Sequence, residues 1–444
     1  MQESVENAVL SGRLVVAGVS PSRGRSRLSW WRNTVMFTGP SVAAAVAYVD
    51  PGNFATNIEA GAKYGYSLLW VVVIANLMAM LFQALAAKVG LVTGQGLAQL
   101  CHTTLPPRWC VPVWLLFEGA AMATDLAEFT GAALGFSLLM DVSLMTGLVI
   151  TAALTMALLH LERIGFRMFE LTIATLVAVV SVSYLGQLAL TTVPWLQVLR
   201  GSTIPLIQDS HALPIAVGII GATIMPHALF LHSGLTQRLR KRHPEVPLHR
   251  LLRFTTREVL VTLTIAGLVN AAMVITSSAA FHSAHLALTG IGNAWLALTP
   301  ILGKVAAILF LTALICSGVS SSVVGTLAGQ MVMEGFTGYA MPLWMRRAIT
   351  FVPAMAVVGV GVNVETALVV SQVALSIALP VPMFALLYFA SSSRFMGPYR
   401  ISSATRAAAC TAAFVVLAFN VVLVIDTCGL PMPAVLCSFA RLFG

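Results

Sequence analysis

The sequence predicts an all-α polytopic membrane protein, and this prediction rests on the composition and on the length of the apolar segments. Only 9% of the 444 residues are charged and 58% are hydrophobic, whereas roughly a quarter of the residues in ordinary soluble domains are charged. The hydrophobic residues form continuous runs, such as 68–80, 147–159 and 412–425. With their flanks, these runs reach the ~20 residues that cross a hydrocarbon core as a helix. The short alternating segments of a membrane β-barrel are not the pattern of this chain.

Charged gaps and gaps rich in Pro, Gly and Ser divide the sequence into eleven predicted spans. Their approximate limits are 37–62, 66–92, 111–138, 142–161, 168–190, 212–236, 255–281, 297–323, 343–362, 366–391 and 407–427. The division predicts a basic cytoplasmic tail at 1–35, a ten-helix core at 36–392, and an accessory eleventh helix with a short tail at 406–444. We expect the core to consist of two five-span halves, 36–190 and 208–392.

The distribution of Lys and Arg residues supports this division and predicts the orientation. If the N-terminus is cytoplasmic, most of the 25 basic residues fall in cytoplasmic gaps, with a dense group at 238–257. The basic residues left on the other side are Lys63, Arg200, Lys304 and Arg441. This bias follows the positive-inside rule. We therefore expect an inner-membrane protein with its N-terminus in the cytoplasm and its C-terminus outside, and no nucleic-acid partner despite the net charge of +9.

Two predicted spans are interrupted by proline and glycine near the middle of the membrane. The first span contains residues 50–53 (DPGN), and the sixth contains residues 221–227 (GATIMPH). Because Pro51 and Pro226 lack a backbone donor and Gly52 adds slack, both helices should unwind here. Unpaired backbone at this depth is tolerated only where it lines a cavity enclosed by protein. Interruptions at corresponding positions of two halves are typical of inverted-repeat transporters that bind substrate at the midplane.

The residues at the two breaks form a plausible set of metal ligands. Asp50 offers an anionic oxygen, Asn53 a neutral carbonyl and Met225 a thioether sulphur. The freed carbonyls of Ala47 and Ala222 would complete the shell. An intramembrane carboxylate calls for a cation, and the sulphur favours Mn²⁺, Fe²⁺, Co²⁺ or Cd²⁺ over Mg²⁺ and Ca²⁺. Taken singly, the methionine could serve packing and each proline a kink; the matched breaks with complementary ligands predict a metal site.

A second group of ionisable residues lies in the third predicted span. Glu118, Asp125 and Glu128 are spaced by seven and three residues, which places them near one face of a helix. Carboxylates inside membrane helices serve as proton relays in transporters. Arg346 and Arg347, at the inner end of the ninth span, are the natural counter-charges. The alternative explanation is that these acid–arginine pairs only hold two helices together.

Two histidines of the sixth span complete the predicted proton pathway. His227 and His232 suit a relay or a gate because histidine titrates near neutral pH, although packing explains His232 equally well. Coupling would follow from electrostatics: a dication at Asp50 stabilises the deprotonated carboxylate, so the departing proton needs a neighbouring acceptor. Asp125 and Glu128 would supply it, and the metal ion and the proton would move inward together.

At these residues the chain resembles the Nramp family of proton-coupled divalent-metal transporters, over essentially its whole length. Residues 50–53 resemble the family's DPGN signature, residues 222–227 its MPH signature, and residues 325–336 its conserved stretch after the eighth span. The resemblance implies a LeuT-type fold, in which a 5+5 inverted repeat with broken helices 1 and 6 is followed by an eleventh helix.

The resemblance also implies which residues act. The implied metal-binding residues are Asp50, Asn53 and Met225 through side chains, Ala47 and Ala222 through carbonyls in different conformations, and Gln372 as an additional contact in some states. The resemblance supports a proton exit toward the cytoplasm in which Asp125 and Glu128 pair with the two arginines. Relatives that carry magnesium or aluminium lack the methionine, so Met225 disfavours those substrates.

The sequence therefore predicts a secondary transporter, not an enzyme, that imports Mn²⁺ and also Fe²⁺, Cd²⁺ and Co²⁺ by symport with protons. We expect no resident cofactor and no obligatory protein partner, only metal ions, protons and the lipid bilayer. One alternative is a Na⁺-coupled symporter of the same fold for an amino acid, although Asp50 would repel the carboxylate of such a substrate. A membrane enzyme is disfavoured because the chain has no HExxH, Gly-x-Ser-x-Gly or P-loop motif. A passive channel would show flux that is independent of pH.

Overall fold

The computed structural model describes residues 45–209, 211–283 and 291–428, and within these ranges every regular element is a helix. In chain order the helices are α1 (Pro51–Tyr64), α2 (Leu69–Thr93), α3 (Leu97–Thr104), α4 (Pro107–Met140), α5 (Leu144–Ile164), α6 (Phe166–Leu190), α7 (Trp195–Thr203), α8 (Ala212–Thr223), α9 (Pro226–Arg242), α10 (Leu248–Ser277, continued by a π-helical turn, Ser278–His282), α11 (Ile291–Leu302), α12 (Lys304–Thr337), α13 (Leu343–Gly359), α14 (Val364–Ala378), α15 (Pro380–Ser391), α16 (Ser393–Met396) and α17 (Ser403–Thr427).

The helices match the predicted membrane spans in number and order. Among the described residues, nine helical segments are long and apolar enough to cross a membrane. The other two predicted spans are the first, described from residue 45 onward, and the ninth, which is α13 with 17 residues. Large apolar side chains such as Leu77, Leu171 and Leu268 are more than half exposed, as expected for surfaces in contact with lipid. The chain is a multi-pass membrane protein of the all-α class.

Some predicted segments fall on parts of the chain that the structure does not describe. The basic tail at 1–35, the start of the first span and residues 429–444 of the accessory segment lie outside the described residues. The exact limits of the two halves, 36–190 and 208–392, stay predictions.

The first span breaks at Asp50, as predicted. Residues 47–50 are non-helical and α1 begins at Pro51, whose fixed φ and missing N–H suit the first position of a helix. Asp50 is the N-cap: its Oδ2 accepts a hydrogen bond from the backbone N–H of Gly52 at 3.1 Å, and its Oδ1 accepts one from that of Asn53 at 3.0 Å. The carboxylate thus satisfies backbone donors that the break has freed.

The sixth span breaks in the same manner. α8 ends at Thr223 and α9 begins at Pro226, and between them Met225 has extended backbone angles, φ −72° and ψ 127°. Proline at the first position of α9 prevents the helix from running through, because it cannot donate the hydrogen bond of an interior residue. Both predicted breaks are confirmed.

The predicted limits of the eighth span, 297–323, are wrong. The apolar sequence there belongs to two helices, because α11 ends at Leu302 and Gly303 takes a φ of +89° before α12 begins. L side chains rarely adopt that backbone conformation, so a glycine marks the turn. Since α12 extends to Thr337, the stretch 325–336 lies inside this helix and not after it.

The tenth span also contains an interruption that hydropathy does not reveal. The predicted segment 366–391 is divided between α14 and α15, with Leu379 between them and Pro380 at the start of α15. Several other helices, including α4 and α10, begin earlier than predicted, since a helix does not end where its apolar run ends. Short helices α3, α7 and α11 lie between the spans.

α4 packs closely against α12 and α5. Small residues allow this approach: a Cβ added at Gly318 would overlap Ala132, and one at Gly147 would overlap the carbonyl oxygen of Ala133. Membrane helices commonly use such residues at their contacts, because apolar side chains gain little by leaving lipid for protein. The packing holds α4, which carries the predicted acids, rigidly beside α1 and α12.

Candidate metal site

Asp50 and Asn53 form the centre of the predicted metal site, and both are fully buried. The side-chain amide of Asn53 donates from Nδ2 to Asp50 Oδ1 at 2.5 Å and to the carbonyl oxygen of Ala222 at 3.0 Å. One amide group therefore joins the break in the first span to the break in the sixth. Asn53 thus makes hydrogen bonds to two other predicted metal-binding residues, Asp50 and Ala222.

Gln372 lies against both breaks, in agreement with its predicted place. A Cβ added at Gly52 would overlap the side-chain amide of Gln372, and one at Gly221 would overlap its backbone carbonyl oxygen. The Gln372 amide donates from Nε2 to Ser371 Oγ at 3.2 Å, which orients the group. Glycine at positions 52 and 221 is thus what lets α14 approach the two unwound segments.

Three buried oxygen atoms around the breaks have no hydrogen-bond partner among the described residues. They are Asn53 Oδ1, Gln372 Oε1 and Thr223 Oγ1. Buried polar atoms are normally paired, and each exception calls for an explanation such as an ion or a water molecule. Oxygen atoms that are unpaired beside a carboxylate are suitable ligands for a cation. Thr223 was not among the predicted ligands.

Met225 and Ala47 occupy the two breaks and are buried, but the hydrogen bonds that join the breaks are made by Asn53. The peptide groups that precede Asp50 are held by neighbouring spans. Asn270 Nδ2 donates to the Tyr48 carbonyl oxygen at 2.8 Å, and Ser317 Oγ donates to the Val49 carbonyl oxygen at 2.6 Å. These contacts satisfy carbonyl groups that an unbroken helix would pair internally.

The site contains a single carboxylate. Among residues 45–209, 211–283 and 291–428, no three His, Cys, Asp or Glu side chains are grouped as a conventional protein metal centre would need. This arrangement differs from closed structural zinc sites, which use four such ligands. A site of one charged and several neutral donors is better suited to a cation that must also leave.

The acid–arginine network connects α4 with α13 and α12. Arg346 Nη2 lies 2.6 Å from Glu118 Oε1, and Arg347 Nη1 lies 3.7 Å from Asp125 Oδ1. Arg347 is directed mainly toward α12, where it donates to the Ser322 carbonyl oxygen at 3.0 Å and to the side-chain hydroxyl of the same residue. Both arginines are buried.

The predicted pairing of Glu128 with an arginine is not found. In the described part of the chain, neither carboxylate oxygen of Glu128 has a hydrogen-bond partner, and its side chain lies beside Gly325 of α12. The physical reason is that the Arg347 guanidinium is already occupied by α12 and stacks 3.8 Å from the ring centroid of Phe129. Arg346 pairs with Glu118, one of the three predicted acids.

The two histidines have different surroundings. His227 Nδ1 lies 3.3 Å from Thr124 Oγ1, and Thr124 immediately precedes Asp125 in α4. His227 Nε2 has no hydrogen-bond partner among the described residues. His227 thus contacts α4 at the residue before Asp125, and its predicted role as a relay stays a prediction.

His232 belongs to a hydrogen-bond chain that leads to the first break. Its Nδ1 donates to Gln83 Oε1 at 2.7 Å, and Gln83 Nε2 donates to Tyr48 Oη at 2.6 Å. Gln83 and Tyr48 were not among the predicted site residues. A glutamine in an otherwise apolar span was the available signal, but its partner is on another helix.

Comparisons with known proteins agree with the fold and the motifs. The model of the Nramp family, described as natural resistance-associated macrophage protein-like, matches residues 41–426. The chain is 50% identical over 433 residues to the divalent metal cation transporter MntH of Acidiphilium cryptum, covering 98% of this chain and 99% of the relative. It is 51% identical over 428 residues to MntH of Verminephrobacter eiseniae, covering 96% of each.

Solved structures show the same architecture. A mutant of the Eremococcus coleocola manganese transporter matches with a TM-score of 0.79 and 30% identity, over 95% of this chain and 94% of that chain. The nucleobase-cation-symport-1 transporter Mhp1 matches with a TM-score of 0.53 and 13% identity, over 87% of this chain and 91% of that chain, which shows likeness of fold alone. The predicted LeuT-type fold is thus confirmed, and the relatives are transporters rather than enzymes. The chain belongs to the Nramp family.

Proposed function

We propose that this protein imports divalent transition-metal ions, Mn²⁺ foremost, by symport with protons. The observation that carries the proposal is the bond network of Asn53, which draws Asp50 and the Ala222 carbonyl together across two broken helices. The unpaired Asn53 Oδ1 and Gln372 Oε1 beside them supply neutral oxygen ligands. The names of the relatives, divalent metal cation transporter and manganese transporter, support the same cargo.

The choice of transition metals over Mg²⁺ and Ca²⁺ rests on Met225. Met225 lies in the break of the sixth span, directly before Pro226, and is fully buried. A thioether adds little to the binding of hard cations and more to that of Mn²⁺, Fe²⁺, Co²⁺ or Cd²⁺. We propose that Met225 and the carbonyl of Ala47 join the shell once a metal ion is bound.

The proposed proton route runs from Asp50 to the acids of α4. The contact of His227, two residues after Met225, with Thr124, the residue before Asp125, supports this route. Glu128, whose carboxylate is buried and lacks a hydrogen-bond partner in the described structure, is available to take up a proton. From Asp125 the route continues along Arg347 and the Arg346–Glu118 pair, where the Glu118 side chain is 20% exposed.

The proposed function requires a particular membrane and a particular orientation of the chain. We propose that the chain lies in the inner membrane with its N-terminus in the cytoplasm and its C-terminus outside, since the basic residues of α9 and α10 gather at one end of the bundle. In this orientation α1 leads outward from the metal site. Near its far end, Glu59, Lys63 and Glu365 line a cavity of about 220 Å³, which is a suitable entrance for a cation.

Uptake by purified protein in liposomes tests the proposal. Mn²⁺ uptake should rise when the outside is acidified, and Asp50→Asn should abolish it, because the single carboxylate of the site is lost. Glu245→Gln is the matched control, since Glu245 is exposed and lies in the loop between α9 and α10. Saturable uptake that does not change with outside pH would reject proton coupling and leave metal transport standing.

Met225→Ala tests the proposed selectivity. Competition by Ca²⁺ against Mn²⁺ uptake should increase, by roughly tenfold if the sulphur contributes about 1.4 kcal/mol of discrimination. Unchanged competition would remove the argument from the thioether. The alternative that the sequence left open, an amino-acid symporter coupled to Na⁺, would be supported by amino-acid uptake that metal chelators do not affect.

A further inference from the structure

A second cavity, of about 660 Å³, lies away from the metal site and has no part in the proposed transport pathway. It is bounded by the C-terminal ends of α1 and α10 and by α7, and its lining includes Tyr64, Tyr66, Gln197, Arg200, Ser278 and His282. The segment Leu248–His282 is 35 residues long, or ~50 Å at 1.5 Å per residue. The cavity therefore lies at the opposite end of the bundle from the basic residues that surround the start of α10.

The polar lining of this cavity includes a cation without a partner. Within the described part of the chain, the guanidinium of Arg200 makes no hydrogen bond or ion pair, and the side chain is exposed. The neighbouring acid Asp209 is engaged elsewhere: its Oδ1 accepts from Tyr64 Oη at 3.0 Å and from the backbone N–H of Ala212 at 2.8 Å. Among the described residues, no carboxylate therefore contacts the Arg200 guanidinium, although Asp209 carries a negative charge nearby.

A second observation also points to a missing ligand. Ser278 lines the cavity and is 2% exposed; its hydroxyl lies near that of Tyr66 but makes no hydrogen bond of regular geometry among the described residues. His282, on the next turn, uses Nδ1 to contact the carbonyl oxygen of Ala62 at 3.1 Å. A buried hydroxyl and an arginine that line the same cavity suit an anion with several acceptor oxygens, and Arg is the preferred residue for phosphate groups.

The helix that carries Arg200, α7, indicates which kind of molecule would supply the anion. α7 exposes Trp195, Leu196 and Leu199, each by more than half of its surface. A short helix that has an exposed apolar face and a basic residue lies in the membrane interface, with its apolar side among the acyl chains and the basic residue at the headgroups. Trp is enriched at this depth. We therefore expect the mouth of the cavity to lie beside phospholipid headgroups.

The cavity is held in a fixed shape by the packing of α7. A Cβ added at Gly201 would overlap the carbonyl oxygen of Tyr66, so the helix lies directly on the turn that follows α1. Trp70 Nε1 donates to the carbonyl oxygen of Leu206 at 3.3 Å and ties down the segment after α7. A ligand in this preformed cavity would connect α7 with the ends of α1 and α10.

We propose that this cavity binds the phosphate-bearing headgroup of an anionic phospholipid, with Arg200 as its principal contact and Ser278 as a hydrogen-bond donor. The lipid would fasten the outer end of α1, the helix that leads from the metal site, to α7 and α10. The proposal does not depend on the identity of the transported ion, and its test needs no transport measurement.

The test is lipid retention by the full-length protein. The retention of dimyristoyl phosphatidylglycerol and of dimyristoyl phosphatidylcholine is compared by native mass spectrometry; the two lipids have the same acyl chains and differ in the charge and structure of the headgroup. We expect preferential retention of the anionic lipid, and Arg200→Gln should lower that preference by roughly fivefold, the factor expected for one basic side chain near a membrane surface. Arg200→Lys should lower it less, because the charge is kept.

Lys304→Gln is the matched control, because Lys304 lies at the same end of the bundle, is exposed and does not line the cavity. It should change the preference less than twofold. Ser278→Ala, which removes an unpaired hydroxyl and should not impair folding, should lower the preference about twofold. Equal effects of Arg200→Gln and Lys304→Gln on the lipid preference would overturn the proposal. Displacement of the lipid by millimolar inorganic phosphate would also overturn it, because it would identify a free anion as the occupant.

Discussion

Arg347 should be among the most important single residues for the stability of this protein, because it compensates a buried acid. Its guanidinium lies 3.7 Å from Asp125 Oδ1, and both side chains are almost completely inaccessible, at 2% and 1%. Neither oxygen of Asp125 has a hydrogen-bond partner among the described residues. If Arg347→Gln removes the charge, the carboxylate is left buried without its nearest counter-charge.

The size of the effect follows from this geometry. Breaking a buried ion pair by removing one partner costs about 3–5 kcal/mol of unfolding free energy. The reverse change, Asp125→Asn, should cost less, because Arg347 keeps its hydrogen bonds to the Ser322 carbonyl oxygen and to Thr326 Oγ1 at 3.0 and 2.9 Å. The double variant, Asp125→Asn with Arg347→Gln, should be more stable than Arg347→Gln alone, since the Asp125 carboxylate is no longer left without its counter-charge.

The assay is unfolding in mixed detergent and dodecyl sulfate, followed by the fluorescence of the eight tryptophans. Arg238→Gln is the matched control: its pair with Glu334 has an N–O distance of 3.5 Å, but the side chains are 51% and 42% exposed. An exposed pair of this kind contributes about 0–1 kcal/mol. If Arg347→Gln lost no more stability than Arg238→Gln, or if the double variant were the least stable of the set, the argument from burial would be refuted.

Further predictions concern helix contacts and use the same unfolding assay. Gly147→Ala should destabilise the protein by about 1–3 kcal/mol, because its Cβ would overlap the Ala133 carbonyl oxygen. Gly119→Ala, where a Cβ would meet nothing within 4 Å, should instead stabilise by about 0.5–1 kcal/mol; equal effects of the two would contradict the packing of α4 on α5. Asn420→Ala should lower the free energy of unfolding by about 1 kcal/mol, because it removes two hydrogen bonds to Ser376, at 2.9 and 2.7 Å. An unchanged stability would show that these bonds do not hold α17 in place.

The breaks in the first and sixth spans were predictable because their causes are local. Pro51 and Pro226 cannot donate a backbone hydrogen bond whatever surrounds them, and Asp50 caps the helix that follows it. The turn at Gly303 was not predictable in this way. A single glycine within an apolar run is compatible with a continuous helix, and its φ of +89° is imposed by how α11 and α12 pack.

The contacts between side chains on different helices were less predictable than the positions of those side chains along each helix. Helical spacing placed Glu118, Asp125 and Glu128 near one face, but it could not say which acid each arginine meets. That choice was decided by α12, whose Ser322 and Thr326 take up the Arg347 guanidinium and so leave Glu128 without an arginine. Isolated Ser and Thr residues in apolar helices have no spacing signal that distinguishes a partner from a packing residue.

The same holds for the polar residues around the metal site. Thr223, Gln83 and Asn270 are fully or almost fully buried, and each occurs in a run of apolar neighbours. Their roles depend on contacts with other spans, such as the bond from Asn270 to the Tyr48 carbonyl oxygen. The sequence shows that a buried amide needs a partner, but only the fold shows which.

Under the proposed function, Asn53 explains how a site of one carboxylate can be both closed and reversible. Its amide nitrogen now occupies Asp50 Oδ1 and the Ala222 carbonyl oxygen, two of the atoms that a metal ion would bind. A cation entering the site must displace this N–H donor, and rotation of the amide would then present Oδ1, which is unpaired, to the ion. Metal binding thus replaces the hydrogen bonds of the Asn53 amide with metal–oxygen contacts. The free energy of binding is the difference between these two sets of interactions, so the affinity for the metal ion stays moderate. The same amide can form its hydrogen bonds again when the ion leaves.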